Sequence, residues 1–196
     1  MLPDPLSGLL SIAIGLGLAA ACGFRVFVPL LIAGLAAHQG RLPLADGFTW
    51  LATTPALIAL GTATVLEIGA YYFPWLDHIL DLIATPTAVI AGMLAAGSVV
   101  TDLPPLLKWA VALIGGGSIA GLVQAATVML RLKSTAVTGG AANPGVATAE
   151  VVGAGVTAWV AILIPIVGLV LVVVLVYFGV KAVRRAIWGK AVRSKV

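Results

Sequence analysis

Charged residues are scarce in this chain of 196 residues, of which only 9% are Asp, Glu, Lys or Arg while 61% are hydrophobic. Soluble globular domains carry about 25% charged residues. A chain with a mean hydropathy of +1.17 could not cover its own surface in water. The composition therefore excludes a soluble globular protein and predicts an integral membrane protein.

Three other absences narrow the class further. The sequence shows no alternation of apolar and polar residues, so the long apolar runs predict an all-α helical bundle rather than a barrel. The single cysteine, Cys22, excludes an internal disulfide. No Ser/His/Asp set and no Cys/His cluster has useful spacing, so we predict no enzyme activity, no metal site and no cofactor.

Basic residues are concentrated at the C-terminus, in the segment KAVRRAIWGKAVRSKV that begins at Lys181. The positive-inside rule predicts a cytoplasmic C-terminus, with residues 191–196 as a basic tail, and the helix count expected here returns the N-terminus to the same side. Beside a membrane helix, anionic lipid headgroups are the expected partner of this segment, rather than nucleic acid.

The order of the apolar segments predicts an internal repeat within a single transmembrane domain covering residues 1–196. Each half, about 7–100 and about 104–190, is predicted to contain two short apolar pieces, a loop and two long transmembrane helices. In the first half the short pieces are residues 7–22 and 25–37, and the long helices are residues 51–73 and 76–100. In the second half they are residues 106–114 and 119–132, then 146–164 and 167–188. Chance similarity among helices rich in Ala, Gly and Val is the alternative to such a repeat.

The short pieces are the informative part of this pattern. Residues 7–22 would form a helix of about 24 Å, which is shorter than the roughly 30 Å hydrocarbon core. Each pair is therefore predicted to be either a re-entrant helical hairpin or one broken crossing. Gly23 and Pro29 mark the predicted break in the first pair, and Gly115, Gly116 and Gly117 mark it in the second.

Ionisable residues inside apolar runs are the candidate site residues, because such groups usually face the protein interior or water and have a partner. The candidates are Arg25, Glu67, Asp77, Asp81 and Glu150, with Gln124 as the counterpart of Arg25 in the second half. Asp77 and Asp81 share a helix face, so a cation between them would relieve their repulsion. Structural interpretations also exist: Arg25 as a staple to Glu67 or Asp81, Asp77 as a helix-start residue that faces headgroups, and Glu150 as an acid in a first helical turn.

Two sequence resemblances follow from these segments. Through GLGLAAACGFRVFVPLLIAGLAA and LEIGAYYFPWLDHILDLIATPTAVIAG, the chain resembles, over nearly its whole length, a family of bacterial integral membrane proteins called domain of unknown function 4126. The matching residues are Gly23, Arg25, Glu67, Pro74, Asp77, Asp81, Pro86 and Gly92, whereas Tyr71 and Thr85 depart from the family pattern. This resemblance implies a bacterial inner membrane location and brings no activity with it. Arg25, Phe27, Pro29 and Gly34 are similar to a motif of DedA-type lipid-carrier translocases, which implies an anionic lipid headgroup as a ligand of Arg25.

Three functions remain open at this point. The first is a small transporter or channel, coupled to a cation or to protons, with a site at the broken helices near the membrane midplane. The second is a lipid-phosphate flippase or scramblase that uses Arg25. The third is a membrane scaffold or assembly subunit that transports nothing. Faces of small residues leave a homo-oligomer open as well.

Overall fold

The computed structural model describes residues 5–70, 74–101 and 103–193, without the side chains of residues 5, 74–82 and 186–193. Throughout these ranges the regular structure is helical. The helices are α1 (Pro5–Cys22), α2 (Phe27–His38), a 3-10 turn (Thr49–Ala52), α3 (Thr54–Ala70), α4 (Pro74–Val99), α5 (Pro105–Ala110), a π-helical segment (Val111–Gly116), α6 (Gly117–Thr138), α7 (Asn143–Leu163) and α8 (Pro165–Arg193). The all-helical class predicted from the apolar runs is therefore confirmed.

The first short pair forms two separate helices, α1 and α2, with boundaries close to the predicted ones. Pro29 does not break α2, because it lies in the first turn of that helix, where a missing N–H costs little. The interruption falls instead between Cys22 and Phe27. Gly23 is in that interruption, as predicted.

The second pair does not break at its glycines. The chain remains helical from Pro105 to Thr138, and the irregularity takes the form of the π-helical segment that ends at Gly116. The Gly115–Gly117 run does not end the helix, but allows its backbone to approach the backbone of α4 closely. A Cβ on Gly116 would lie only 2.6 Å from the carbonyl oxygen of Gly92 on α4. The two halves therefore differ at the position where the sequence predicts equivalent breaks.

Small residues fill the interior, and large apolar residues face outwards. The fully buried positions are mostly alanines such as Ala19, Ala33, Ala95 and Ala158, whereas Ile58, Leu106 and Val173 are more than half exposed. This is the reverse of a soluble core and fits a protein surrounded by lipid, in which small residues let helix backbones approach closely. Within the described part of the chain, three helical spans are long and apolar enough to cross a membrane: Pro105–Thr138, Asn143–Leu163 and Pro165–Arg185. The protein is thus a helical membrane protein.

Contacts between helix ends show which of them lie together at each end of the bundle. Near the start of α1, a Cβ on Gly8 would touch the Leu103 side chain, and the Ala45 N–H donates to the Ser98 carbonyl at 2.7 Å. The start of α1, the loop after α2, the end of α4 and the start of α5 therefore share one end. Lys133 and Arg185 line one groove at the other end. The first described residues of α1 and the last described turns of α8 consequently lie at opposite ends of the bundle, and the side of the membrane on which each terminus lies stays a prediction.

Candidate functional site

The turn between α1 and α2, residues 23–26, is wedged against α6. Helix α1 ends as the Gly23 N–H donates to Ala20 and the Phe24 N–H to Ala21. A Cβ on Gly23 would lie 2.6 Å from the backbone oxygen of Ala120, so only glycine allows this approach. We call residues 23–27, which comprise this turn and the first residue of α2, the hairpin tip.

Arg25 extends from the hairpin tip into a buried ionic cluster. Its guanidinium lies 3.0 Å from the carboxylate of Glu150 on α7 and donates to the Ala147 carbonyl at 3.2 Å. Arg131 of α6 holds the same carboxylate in a fork, with Nε donating to Oε1 at 2.9 Å and Nη2 to Oε2. Arg25, Arg131 and Glu150 are only 1%, 4% and 3% exposed. One carboxylate thus joins the hairpin tip, α6 and α7.

The electrostatics of this cluster depend on Glu150. Two guanidinium groups taken out of water are costly unless an anion and further hydrogen bonds compensate them. Glu150 supplies the negative charge between them, and the bidentate geometry with Arg131 is the strongest that an arginine offers a carboxylate. Removing Glu150 would leave two like charges close together in a buried site.

A second carboxylate, from α3, also holds the hairpin tip. Glu67 of α3 accepts a hydrogen bond from the Val26 N–H at 2.8 Å and another from the Phe27 N–H at 3.1 Å. These amides belong to the start of α2, where helix N–H groups lack partners within the helix and the helix dipole favours a negative charge. Glu67 therefore caps α2 from another helix. The tip is clamped between α3 and α7 by two acids.

A cavity of about 390 Å³ lies beside the Glu67 carboxylate. Its walls come from the start of α2, from α3 and from α4, with Phe27, Leu66 and Ile83 among its mostly apolar lining. Among the described side chains that line it, Glu67 and Thr87 are the polar ones. Glu67 is thus connected both to the hairpin tip and to a space that a small ligand could enter.

The structure brings three of the predicted site residues together, since Arg25, Glu67 and Glu150 all hold the hairpin tip. Arg25 pairs in this cluster with Glu150, an acid that the sequence analysis did not name as its partner. Glu150 is seven residues into α7 and is not a first-turn acid. Gln124 is buried on α6 two turns before Arg131, on the same face. The side chains of Asp77 and Asp81 lie outside the described part of the chain.

Arg131 is the site residue that sequence reasoning missed. It is buried on α6, where its guanidinium donates to the Glu150 carboxylate. The available signal was its position, since Arg131 follows an apolar helical run and shares a face with Gln124 and Thr127. An arginine on a buried helix face usually has an acidic partner.

No group of three or more His, Cys, Asp or Glu side chains within the described ranges could hold a metal ion. The chemistry available at the tip is that of carboxylates, guanidiniums and backbone amides. Such groups can take up protons and bind small ions, and they can exchange partners.

Comparison with known proteins gives a family and no named relative. No curated protein and no solved structure matches the chain. A family model described as "Domain of unknown function (DUF4126)" matches residues 12–185. The match includes the hairpin tip, both clamping acids and Arg131, and so the chain belongs to the DUF4126 family.

Proposed function

We propose that the protein is a small transporter of the bacterial inner membrane, in which Glu67 carries a proton or a cation. One observation carries this proposal: the same carboxylate lines a cavity of about 390 Å³ and holds the start of α2 through two backbone N–H groups. Occupancy of the cavity and position of the hairpin tip are then coupled through one side chain.

In this proposal α1 and α2 form a re-entrant hairpin. Helix α1 runs inward from the end that carries Leu103, and α2 returns towards that end, where His38 Nδ1 lies 2.8 Å from the Ala52 carbonyl. Non-helical backbone at membrane depth is tolerated where protein surrounds it, as it does at the buried residues Gly23 and Arg25. If the basic end of α8 is cytoplasmic, the hairpin enters from the opposite side of the membrane.

Proton uptake by Glu67 would loosen the clamp. An ionised carboxylate forms charge-assisted hydrogen bonds with the Val26 and Phe27 amides, and these are roughly twice as strong as neutral ones. A protonated Glu67 would also lose its favourable interaction with the dipole of α2. The tip would then be held mainly by Arg25 and Glu150. The ionised and the protonated forms of Glu67 would therefore correspond to two states of the protein, which differ in how easily a ligand enters the cavity.

Within this scheme the Arg25–Glu150–Arg131 cluster is the fixed side of the clamp. Arg25 is 1% exposed and engaged with both Glu150 and the Ala147 carbonyl. This burial favours a structural lock over the binding of a lipid phosphate by Arg25, which is the second function that the sequence left open.

Proton flux in proteoliposomes tests the proposal. The protein is reconstituted with an entrapped pH-sensitive dye, a pH gradient is imposed and valinomycin clamps the potential. We expect a flux above that of empty vesicles, and we expect Glu67→Gln to abolish it because an amide does not titrate. Asp46→Asn is the matched control, since Asp46 is an exposed acid on the loop after α2, and it should behave as wild type.

Three outcomes would contradict the proposal. Equal flux in wild type and Glu67→Gln would remove Glu67 from the pathway. No flux above empty vesicles, together with lipid movement that is lost in Arg25→Ala, would favour the flippase. No flux and no lipid movement, with stable partners in a pull-down, would favour the scaffold.

The single cysteine offers a direct report on the clamp. Cys22 ends α1 just before the hairpin tip and is 0% exposed. We expect Glu67→Gln to increase the labelling rate of Cys22 by a membrane-permeant thiol reagent about tenfold, because hydrogen bonds to a charged group contribute about 1.5–3 kcal/mol each and glutamine retains part of that. An unchanged rate in Glu67→Gln, with Asp46→Asn as the reference, would show that Glu67 does not restrain the tip.

A further inference from the structure

We infer that the groove between α6 and α8 is a binding site for an anionic phospholipid. The groove has a volume of about 400 Å³, is lined by α6, α8 and Phe24 of the hairpin tip, and shares no described lining residue with the Glu67 cavity. This inference does not depend on the proposed transport activity.

The walls of the groove suit an acyl chain. They are formed largely by apolar side chains, among which are Met129 and Leu130 of α6 and Leu175 and Phe178 of α8. Gly179 has no side chain that would project into the groove, and its position brings α8 close to the backbone of Leu122. Hydrocarbon is the expected content of such a groove in a protein surrounded by lipid.

The charges are confined to one end of the groove and have one sign. Lys133 of α6 and Lys181 and Arg185 of α8 line it, and none of the described residues that line it is acidic. Lys181 and Arg185 are four residues apart and share a helix face. Lys133 and Arg185 are exposed, so their charges are available to a ligand.

Charge complementarity identifies the occupant. A molecule with a phosphate at one end and apolar chains behind it matches three cations at the end of an apolar groove. Basic pockets between helices on the cytoplasmic side are suited to anionic lipid headgroups, and each cation near such a surface contributes about 1 kcal/mol. The cations lie at the end of the bundle that the positive-inside rule places in the anionic leaflet.

The groove also reaches the functional site. Phe24 and Thr127 form part of its inner lining. Phe24 directly precedes Arg25, and it also packs against α7, where a Cβ on Gly153 would lie 3.6 Å from its ring. A lipid chain in the groove would therefore contact the hairpin tip from the α6–α8 side.

The test is native mass spectrometry and thermal unfolding of the purified full-length protein in detergent, with added phosphatidylglycerol or phosphatidylcholine. We expect phosphatidylglycerol to bind and to raise the unfolding temperature more than phosphatidylcholine does. Removing one cation should weaken binding about fivefold, so the triple variant Lys133→Gln, Lys181→Gln, Arg185→Gln should bind about a hundredfold more weakly. The matched control is Arg41→Gln with Lys108→Gln, which removes two cations at the opposite end of the bundle and should leave binding unchanged.

A second variant tests the apolar part of the groove without changing charge. Ala182 lines the groove and is half-buried, so Ala182→Phe should fill the groove and reduce phosphatidylglycerol binding while the cations remain. Glycerol phosphate, which has the headgroup chemistry without the chains, should not stabilise the protein. Equal binding of the two lipids, or undiminished phosphatidylglycerol binding in the triple variant and in Ala182→Phe, would overturn the inference. So would stabilisation by glycerol phosphate equal to that by the lipid.

Discussion

Replacing Glu150 by glutamine should destabilise the protein more than any other single conservative change. Glutamine fits the same space but removes the negative charge that both Arg25 and Arg131 use. Removing one partner of a buried ion pair typically costs about 3–5 kcal/mol, because an uncompensated charge stays buried. The free energy of unfolding, measured by denaturant titration in mild detergent, should fall by that amount in Glu150→Gln.

Double variants separate charge from packing in this experiment. If the cost arises from the uncompensated cations, then Glu150→Gln combined with Arg131→Met should be more stable than Glu150→Gln alone, because one of the two buried charges is gone. Asp46→Asn, the exposed control, should change stability by less than about 0.5 kcal/mol. A Glu150→Gln protein as stable as wild type would show that the cluster is not the electrostatic centre of the fold.

Replacing Gly92 by alanine should give the second large effect, from a single added methyl group. That Cβ would lie 2.4 Å from the Cβ of Ala120 and 2.8 Å from the carbonyl oxygen of Gly116. Both neighbours belong to the helix that crosses α4 here, and a backbone oxygen cannot rotate away as a side chain can. Overpacking of this kind costs about 1–3 kcal/mol or more, and thermal unfolding in detergent measures it.

Gly61→Ala is the matched control, and we expect this substitution to stabilise the protein rather than destabilise it. Gly61 is also within a helix, α3, but a Cβ there would meet nothing within 4 Å. Alanine is favoured over glycine inside a helix by about 0.5–1 kcal/mol. Equal effects of the two substitutions would mean that helix propensity, rather than the close crossing of α4 and α6, governs both positions.

The position of most helices was predictable from local sequence. Helices α1, α2, α7 and α8 begin and end within a few residues of the predicted limits, because proline, glycine and polar loops mark the ends of apolar runs. The glycine run at residues 115–117 was misread as a break. Three glycines weaken a helix locally, but contact with α4 keeps this one continuous through a π-helical segment.

The pairing of charges was only partly predictable. Arg25, Glu67 and Glu150 stood out because an ionisable residue inside an apolar run requires a partner. Which acid meets which base depends on helices far apart in the chain: Glu150 is 125 positions after Arg25 and bonds to it across the α1–α7 contact. Arg131 was overlooked because the same arginine on the outer face of α6 would have been an ordinary cytoplasmic residue.

The sequence by itself determined that this is a helical membrane protein, since its apolar content and run lengths leave no other way to satisfy the backbone. It also determined that a few charges lie inside. Only the tertiary structure decided that two acids clamp one hairpin tip and that the second pair of short segments is one helix. The physical reason is that hydrophobicity and helix propensity act along the chain, whereas ion pairs, close glycine crossings and cavities depend on which helix faces meet.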